Sequence, residues 1–254
     1  TAMIHRIVQM IHFGDGWVQA NASITKEDAA YLKDYIADKQ PADLERLCSI
    51  LAVQPIQPWH ILAITFTNKA ANELRSRLLQ AIGEECASML HASTFHSACV
   101  RILRRSISKL GYDSNFTIYD TDDSQRLMKS CIADADVSEK QFPPRAVLTE
   151  ISLAKDRMCS PEYFCIEAGS DYRKMVIGKL YKEYQNRLKS ANALDFDDLI
   201  YKTVELLESF PEELEYYQNR FRYIMVDEYQ DTNHAQFRLV QLLSQKHQNL
   251  CVVG

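Results

Sequence analysis

Two rhythms of apolar residues divide the chain. One is helical. Over residues 2–12, Met3, Ile4, Ile7, Val8 and Ile11 fall on a single stripe, which predicts an amphipathic helix. Residues 13–24 read as a loop. Thr25, followed three positions on by Asp28, is a variant capping box opening a helix whose Ala29, Leu32 and Ile36 share a face. A short helix is expected over 42–51, after Pro41. The other rhythm is the short unbroken apolar run. His60–Thr67, Met89–Thr94, Tyr223–Asp227 and Asn249–Val253 read as buried strands. Helices follow or separate them. One is expected over 69–82 with Asn68 as N-cap. A second, over 95–110, turns Phe95, Cys99, Ile102, Leu103 and Leu110 inward and Arg101, Arg104 and Arg105 outward. Others are expected over 195–209 and over 234–246, the last with Phe237, Val240 and Leu243 inward. Residues 115–190 lack the alternation. They read as helices over 122–133, 145–158 and 172–188, broken at Pro143–Pro144, and hence as an inserted helical lobe.

Apolar strands alternating with helices predict an α/β fold with a parallel sheet. Ligands of such sheets bind at the carboxyl ends of the strands. Thr65–Lys69, Thr94–His96, Asp227–Glu228 and Gly254 all fall there.

Composition adds limits. With 254 residues, 46% hydrophobic and 25% charged, the chain has material for one large core or two lobes. No apolar run approaches the ~18 residues of a membrane span, and the amphipathic start lacks a signal-peptide cleavage pattern. Seven dispersed cysteines without a CxxC pair argue against disulfides or zinc and suit a reducing cytoplasm. A net charge of −5 predicts no polyanion partner by itself. Yet no acid occurs between Cys86 and Tyr112, where Arg101, Arg104, Arg105 and Lys109 fall, so one basic face on an acidic body suits contact with nucleic acid. No GxxxxGK[ST] phosphate loop is present.

The candidate chemistry centres on VDEYQDTN, 226–233. One acid at a strand end can hold Mg²⁺ beside nucleotide phosphates, and the next can orient and deprotonate an attacking water. A bare DE pair is more often a solvated strand end. Gln230, Asp231 and Asn233 make the pattern specific. In AITFTNKAANELRSRL, 63–78, Phe66 suits either a core position or a platform for an unpaired base, and Thr65, Thr67 and Asn68 suit phosphate contacts or a helix cap. Lys69 reads as a solvated helix charge before a phosphate contact. In HASTFHSACVRILRR, 91–105, Thr94 and His96 sit at a helix N-terminus, which favours phosphate. Phe95 reads as core before base platform.

Together these segments resemble superfamily 1 DNA helicases of the UvrD/PcrA/Rep group. AITFTNKAANELRSRL is similar to their motif Ia, STFHSACVRILRR to Ib, VDEYQDTNHAQFRLVQLL to II, and NLCVVG to the start of III. ALDFDDLI, 193–200, resembles the return from their helical 1B lobe. The resemblance covers about 1–13 and 59–254. It implies a RecA-like 1A domain over 1–111 and 191–254, with 14–58 as a helical insertion and a 1B lobe over 112–190. It implies ATP and Mg²⁺ as cofactors, with Asp227 on Mg²⁺ and Glu228 as catalytic base. Gln230 would couple nucleotide to DNA. Thr65, Phe66, Thr67, Asn68, Lys69, Thr94, Phe95, His96 and Arg101 would lie along the DNA path. The implied activity is ATP-driven 3′-to-5′ translocation on single-stranded DNA with duplex unwinding, in repair or replication, beside repair-protein partners.

The family's Walker A loop is absent, and His5-Arg6-Ile7 matches the helix just after it. The chain is therefore expected to hydrolyse no ATP alone, and to show a gap in its sheet or self-association. Two other readings stand beside the motor: the helicase part of an AddA/RecB-type helicase–nuclease, and a degenerate DNA-binding module. The intact Glu228 argues against the latter.

Overall fold

The computed structural model describes residues 2–13, 25–37, 43, 46 and 56–254. The loop expected over 13–24, the helix over 42–51 and most of the 14–58 insertion lie outside the described residues. Where the chain is described, the sheet elements follow the apolar runs. β1 (Ile61–Thr65), β2 (His91–Thr94), β5 (Tyr223–Val226) and β6 (Leu250–Val252) form a parallel sheet in the order β2-β1-β5-β6. Ala63 is level with Ala92 on one side and Met225 on the other. β1 is buried along its whole length because neighbours flank both edges and helices cover both faces.

Alternation along the strands assigns the two faces. Ile61, Ala63 and Met225 pack with Met3, Ile7 and Met10 of α1 (Ala2–Phe13) and Leu74 and Leu78 of α3 (Asn68–Met89). Leu62, Ile64, Ile224 and Val226 pack with α4 (Phe95–Ser106), α9 (Phe196–Ser209) and α11 (His234–Ser244). The remaining helix of the amino-terminal region, α2 (Lys26–Ile36), is capped by Thr25, which accepts from the Asp28 N–H. Among the described residues no helix is long and apolar enough to cross a membrane.

A second core gathers Met128, Ile132, Val147, Ile151, Phe164, Ile177, Leu180, Tyr181, Tyr184 and Leu188 from α5 (Thr121–Asp134), α6 (Pro144–Asp156), α7 (Pro161–Ala168) and α8 (Tyr172–Ser190). α7 and α8 approach closely at Gly178, where a Cβ would stand 2.7 Å from Cys165 Sγ.

Several expectations are corrected. The sheet has no gap among the described strands: β1, β5 and β6 are directly hydrogen-bonded neighbours. Its outer edge at β6 leaves Leu250 and Val252 exposed. Thr67, not Asn68, caps α3, because its extended backbone lets Oγ1 accept from the Ala70 N–H at 3.1 Å. The 69–82 helix breaks at Gly83 (φ 78°), and a further helical stretch carries α3 to Met89, so β2 starts at His91. Phe237 is 41% exposed rather than inward. At about 100° per residue it lies some 160° around the helix from buried Leu239. Three features went unread, the short helix α7 among them. β3 (Thr117–Ile118) pairs in parallel with β4 (Ala193–Leu194), strands too short to show a two-residue period. α10 (Pro211–Arg220) buries only Glu213, Tyr217 and Gln218, too little apolar surface to announce a helix.

Candidate functional site

Three strand ends converge. The Asp227 N–H donates to Ile64 O at 3.0 Å, which sets the first residue after β5 beside the end of β1. Tyr229 N–H donates to Val253 O at 2.9 Å, tying the same turn to the end of β6. Between them Glu228 adopts a left-handed backbone (φ 50°, ψ 42°). Such a conformation in a residue other than glycine is uncommon and is held by its surroundings. Here the holding contacts are the two strand-end bonds and Gln230, whose Nε2 donates to Glu228 Oε2 at 2.7 Å. Gly254 lies so close to Gln230 Oε1 that a Cβ would collide with it.

Asp227 is half-buried and its carboxylate has no hydrogen bond or ion pair among the described residues. It lines a 150 Å³ cavity with Met3 and Ile4 from the first turn of α1, and with Ala70, Glu73 and Arg77 of α3. α1 is twelve residues long, and the positive dipole end of such a helix favours an anion beside its first turn. Among the described residues no three His, Cys, Asp or Glu side chains converge to hold a metal. A single free carboxylate beside an anion-favouring helix start fits Mg²⁺, which retains waters and is shared with phosphate oxygens rather than caged by protein.

The ends of β1 and β2 form the adjoining surface. Thr67, Asn68 and Lys69 are exposed and Phe66 is half-buried. Thr65 and Thr94 are 2% and 6% exposed. Their hydroxyls serve the turns: Thr65 Oγ1 donates to Thr67 O at 3.2 Å, and Thr94 Oγ1 accepts from the Ser97 N–H at 3.3 Å to cap α4. Phe95, expected along the DNA path, is 1% exposed and meets Phe66 edge-on at 5.4 Å. Its ring belongs to the core, with no free face for a base. His96 stacks on Phe196 at 3.8 Å and 23°. Burial holds the His96 imidazole at about 4, so it is neutral at pH 7 and meets a partner by hydrogen bonding or stacking, not charge. Phe196 is 57% exposed and went unremarked in ALDFDDLI. Its signal was an exposed aromatic at the first turn of a helix, flanked by Asp195, Asp197 and Asp198.

Arg101 is not brought to this surface. α4 runs back along β2, so Arg101 lies beside His91 at the amino end of the sheet. The basic face expected over 101–109 is also largely neutralised. Arg105 pairs with Glu213 at 3.5 Å, and Lys109 pairs with Glu212 and Glu213 of α10, acids more than a hundred positions away in sequence. Arg104 donates to Ser114 O and covers Phe116.

Behind the site, Asn233 caps α11 and donates through Nδ2 to Asp156 Oδ1 at 2.6 Å, joining the VDEYQDTN turn to the end of α6. Next to it Lys155 is buried between Asp195 Oδ2 at 2.6 Å and Asp198 Oδ1 at 2.9 Å.

Comparison with known proteins gives one family. The profile described as UvrD/REP helicase N-terminal domain matches residues 44–254. Proteins named ATP-dependent DNA helicase PcrA are similar over 209 residues, 82% of this chain: the Staphylococcus epidermidis protein at 48% identity and the Bacillus subtilis protein at 47%. The chain spans 28% of the length of these relatives.

Proposed function

The chain belongs to the UvrD/REP helicase N-terminal domain family, and from that premise we propose that it is the first motor segment of an ATP-driven helicase moving 3′ to 5′ on single-stranded DNA. The sheet and its covering helices are the 1A domain of this reading, and the α5–α8 core is its 1B lobe. The observation that carries it is the turn after β5. An unpartnered Asp227 faces the start of α1, and Glu228 is held next to it in a strained backbone. Asp227 would hold Mg²⁺, which would supply charge neutralisation at nucleotide phosphates when bound. Glu228 would orient and deprotonate the attacking water, with Gln230 as its positioning partner and as the coupling residue toward DNA.

The DNA path runs over the carboxyl ends of β1 and β2. Thr67, Asn68 and Lys69 offer exposed polar contacts, while Phe66, His96 and Phe196 offer ring faces. Thr65 and Thr94 shape that surface through their helix and turn bonds. The direction of movement, duplex unwinding and a role in repair or replication rest on the family resemblance.

The test is Glu228→Gln in a polypeptide that carries this segment together with a Walker A loop. DNA-stimulated ATP hydrolysis falls by roughly 10²-fold or more, the usual scale for removing a general base, while single-stranded DNA binding is retained. Hydrolysis near the parent rate in that variant would overturn the assignment.

A further inference from the structure

At the other end of the sheet, the amino end of β2, the charges do not balance. His91 and Ser93 stand on the same face of the strand, two residues apart. Arg101 of α4 reaches His91 Nδ1 at 2.9 Å, and Arg220, the last residue of α10, reaches His91 Nε2 at 3.0 Å. A neutral imidazole has one acceptor nitrogen and one N–H. Two guanidinium donors on its two nitrogens therefore leave one contact donor-to-donor. Protonating the ring would worsen it, and the His91 imidazole is held at about 4 by burial, then by Arg220 and Arg101. Arg101 is itself lowered by burial and by the charges of Arg75 and Arg220.

No carboxylate answers these cations. Among the described residues neither Arg101 nor Arg220 has an acidic partner. The acid on the adjoining helix, Glu213, is already committed: Oε2 to Arg105 and the Ser106 hydroxyl, Oε1 to Lys109. The same side chains border a 260 Å³ cavity, with Leu62, Tyr217 and Phe221 as its apolar wall. Ser93 lines it too. Its side chain is 1% exposed and its Oγ has no hydrogen-bond partner. A buried hydroxyl left unpaired carries an energetic penalty that a bound acceptor removes.

We infer that this pocket binds a phosphoryl oxyanion, with Arg101 and Arg220 supplying charge-assisted donors and the Ser93 hydroxyl a further donor. The anion accepts from both guanidinium groups and turns the frustrated pair around His91 into a compensated cluster. The volume lies below the roughly 300–1,000 Å³ typical of pockets for larger organic ligands, so the site takes the phosphoryl group itself. Free phosphate and a backbone phosphate of a nucleic acid share that chemistry. The site lies at the opposite end of the strands from Asp227 and does not rest on the DNA path proposed above.

The experiment titrates the chain with inorganic phosphate at constant ionic strength, with chloride as the reference anion, by calorimetry and thermal unfolding. Saturable, phosphate-specific binding with a raised Tm is expected. Arg101→Gln and Arg220→Gln each weaken it roughly tenfold or more, the scale of a lost charged hydrogen bond. Ser93→Ala, which adds no volume, weakens it less, and Arg145→Gln, outside the pocket, leaves it unchanged. Should Arg220→Gln fail to fold, exposed Arg101 and the volume-reducing Ser93→Ala carry the test. A single-stranded oligonucleotide then separates the sources. If it displaces phosphate and binds more weakly to Arg101→Gln, the ligand is a backbone phosphate. If Arg101→Gln binds it normally, the ligand is the free anion. No phosphate effect beyond chloride, or an effect unchanged in Arg101→Gln and Ser93→Ala, overturns the site.

Discussion

Two charged clusters in this chain follow opposite rules. Around Lys155, buried at the junction of α6 and α9, every charge is answered from within. The ammonium contacts two carboxylates, Tyr184 OH donates to Asp195 at 3.0 Å, Gln185 Nε2 donates to Asp198 at 3.2 Å, and backbone N–H groups of α9 complete the set. Asp195, nearest the ammonium, is held below its usual range, whereas burial and the Asp195 charge push Asp198 up to about 6. Around His91, by contrast, two arginines converge with no carboxylate, and the pocket is open. A buried charge such as the Lys155 ammonium must be compensated within the protein, because burial strips it of water. An open site can leave compensation to solvent or to a ligand.

The largest test of that contrast is Lys155→Met. It strands two buried carboxylates and is expected to destabilise the chain by about 3–5 kcal/mol, read by chemical denaturation at pH 7. A loss below about 1 kcal/mol would show that water reaches the cluster and erase the distinction. The next effect is a pH slope. His91 is at about 4 in the folded state, below the ordinary 6.5. Between those values the unfolded chain binds the proton and the folded chain does not, so stability falls as pH drops through this window and levels off below it. His91→Gln should flatten that part of the slope. Phosphate should raise the His91 value in an NMR titration, since an anion beside the ring favours its charged form. An unmoved titration in saturating phosphate would separate the anion from His91. The smallest effect is Arg101→Gln in chloride, expected within about 0.5 kcal/mol of the parent chain or slightly more stable. A loss above 2 kcal/mol would mean Arg101 already has a structural partner.

The readable parts of the molecule are those with a local physical signature. Four apolar runs became four parallel strands, and Asp227 and Glu228 fell at a strand end as their position required. Phe66 stood open between core and base platform whereas the helical stripe already turned Phe95 inward, and the structure leaves the first half-buried and encloses the second. The arginines of α4 gave no sign of their separate fates. Arg105 meets Glu213 and Arg101 meets His91, because α10, more than a hundred positions later, brings an acid to the first and the cation Arg220 to the second.

The sequence by itself determined the alternation of strands and helices, the helical lobe, and the acids and polar turn residues at the strand ends. These follow from periodicity, capping and motif, which act over a few neighbouring positions. Tertiary structure alone decided which charges are compensated, which aromatic rings stay exposed, and that among the described strands β5 pairs directly with β1 on one side and β6 on the other. Those outcomes depend on contacts between residues far apart in the chain, where burial and Coulomb energy are set by the fold and by no local pattern.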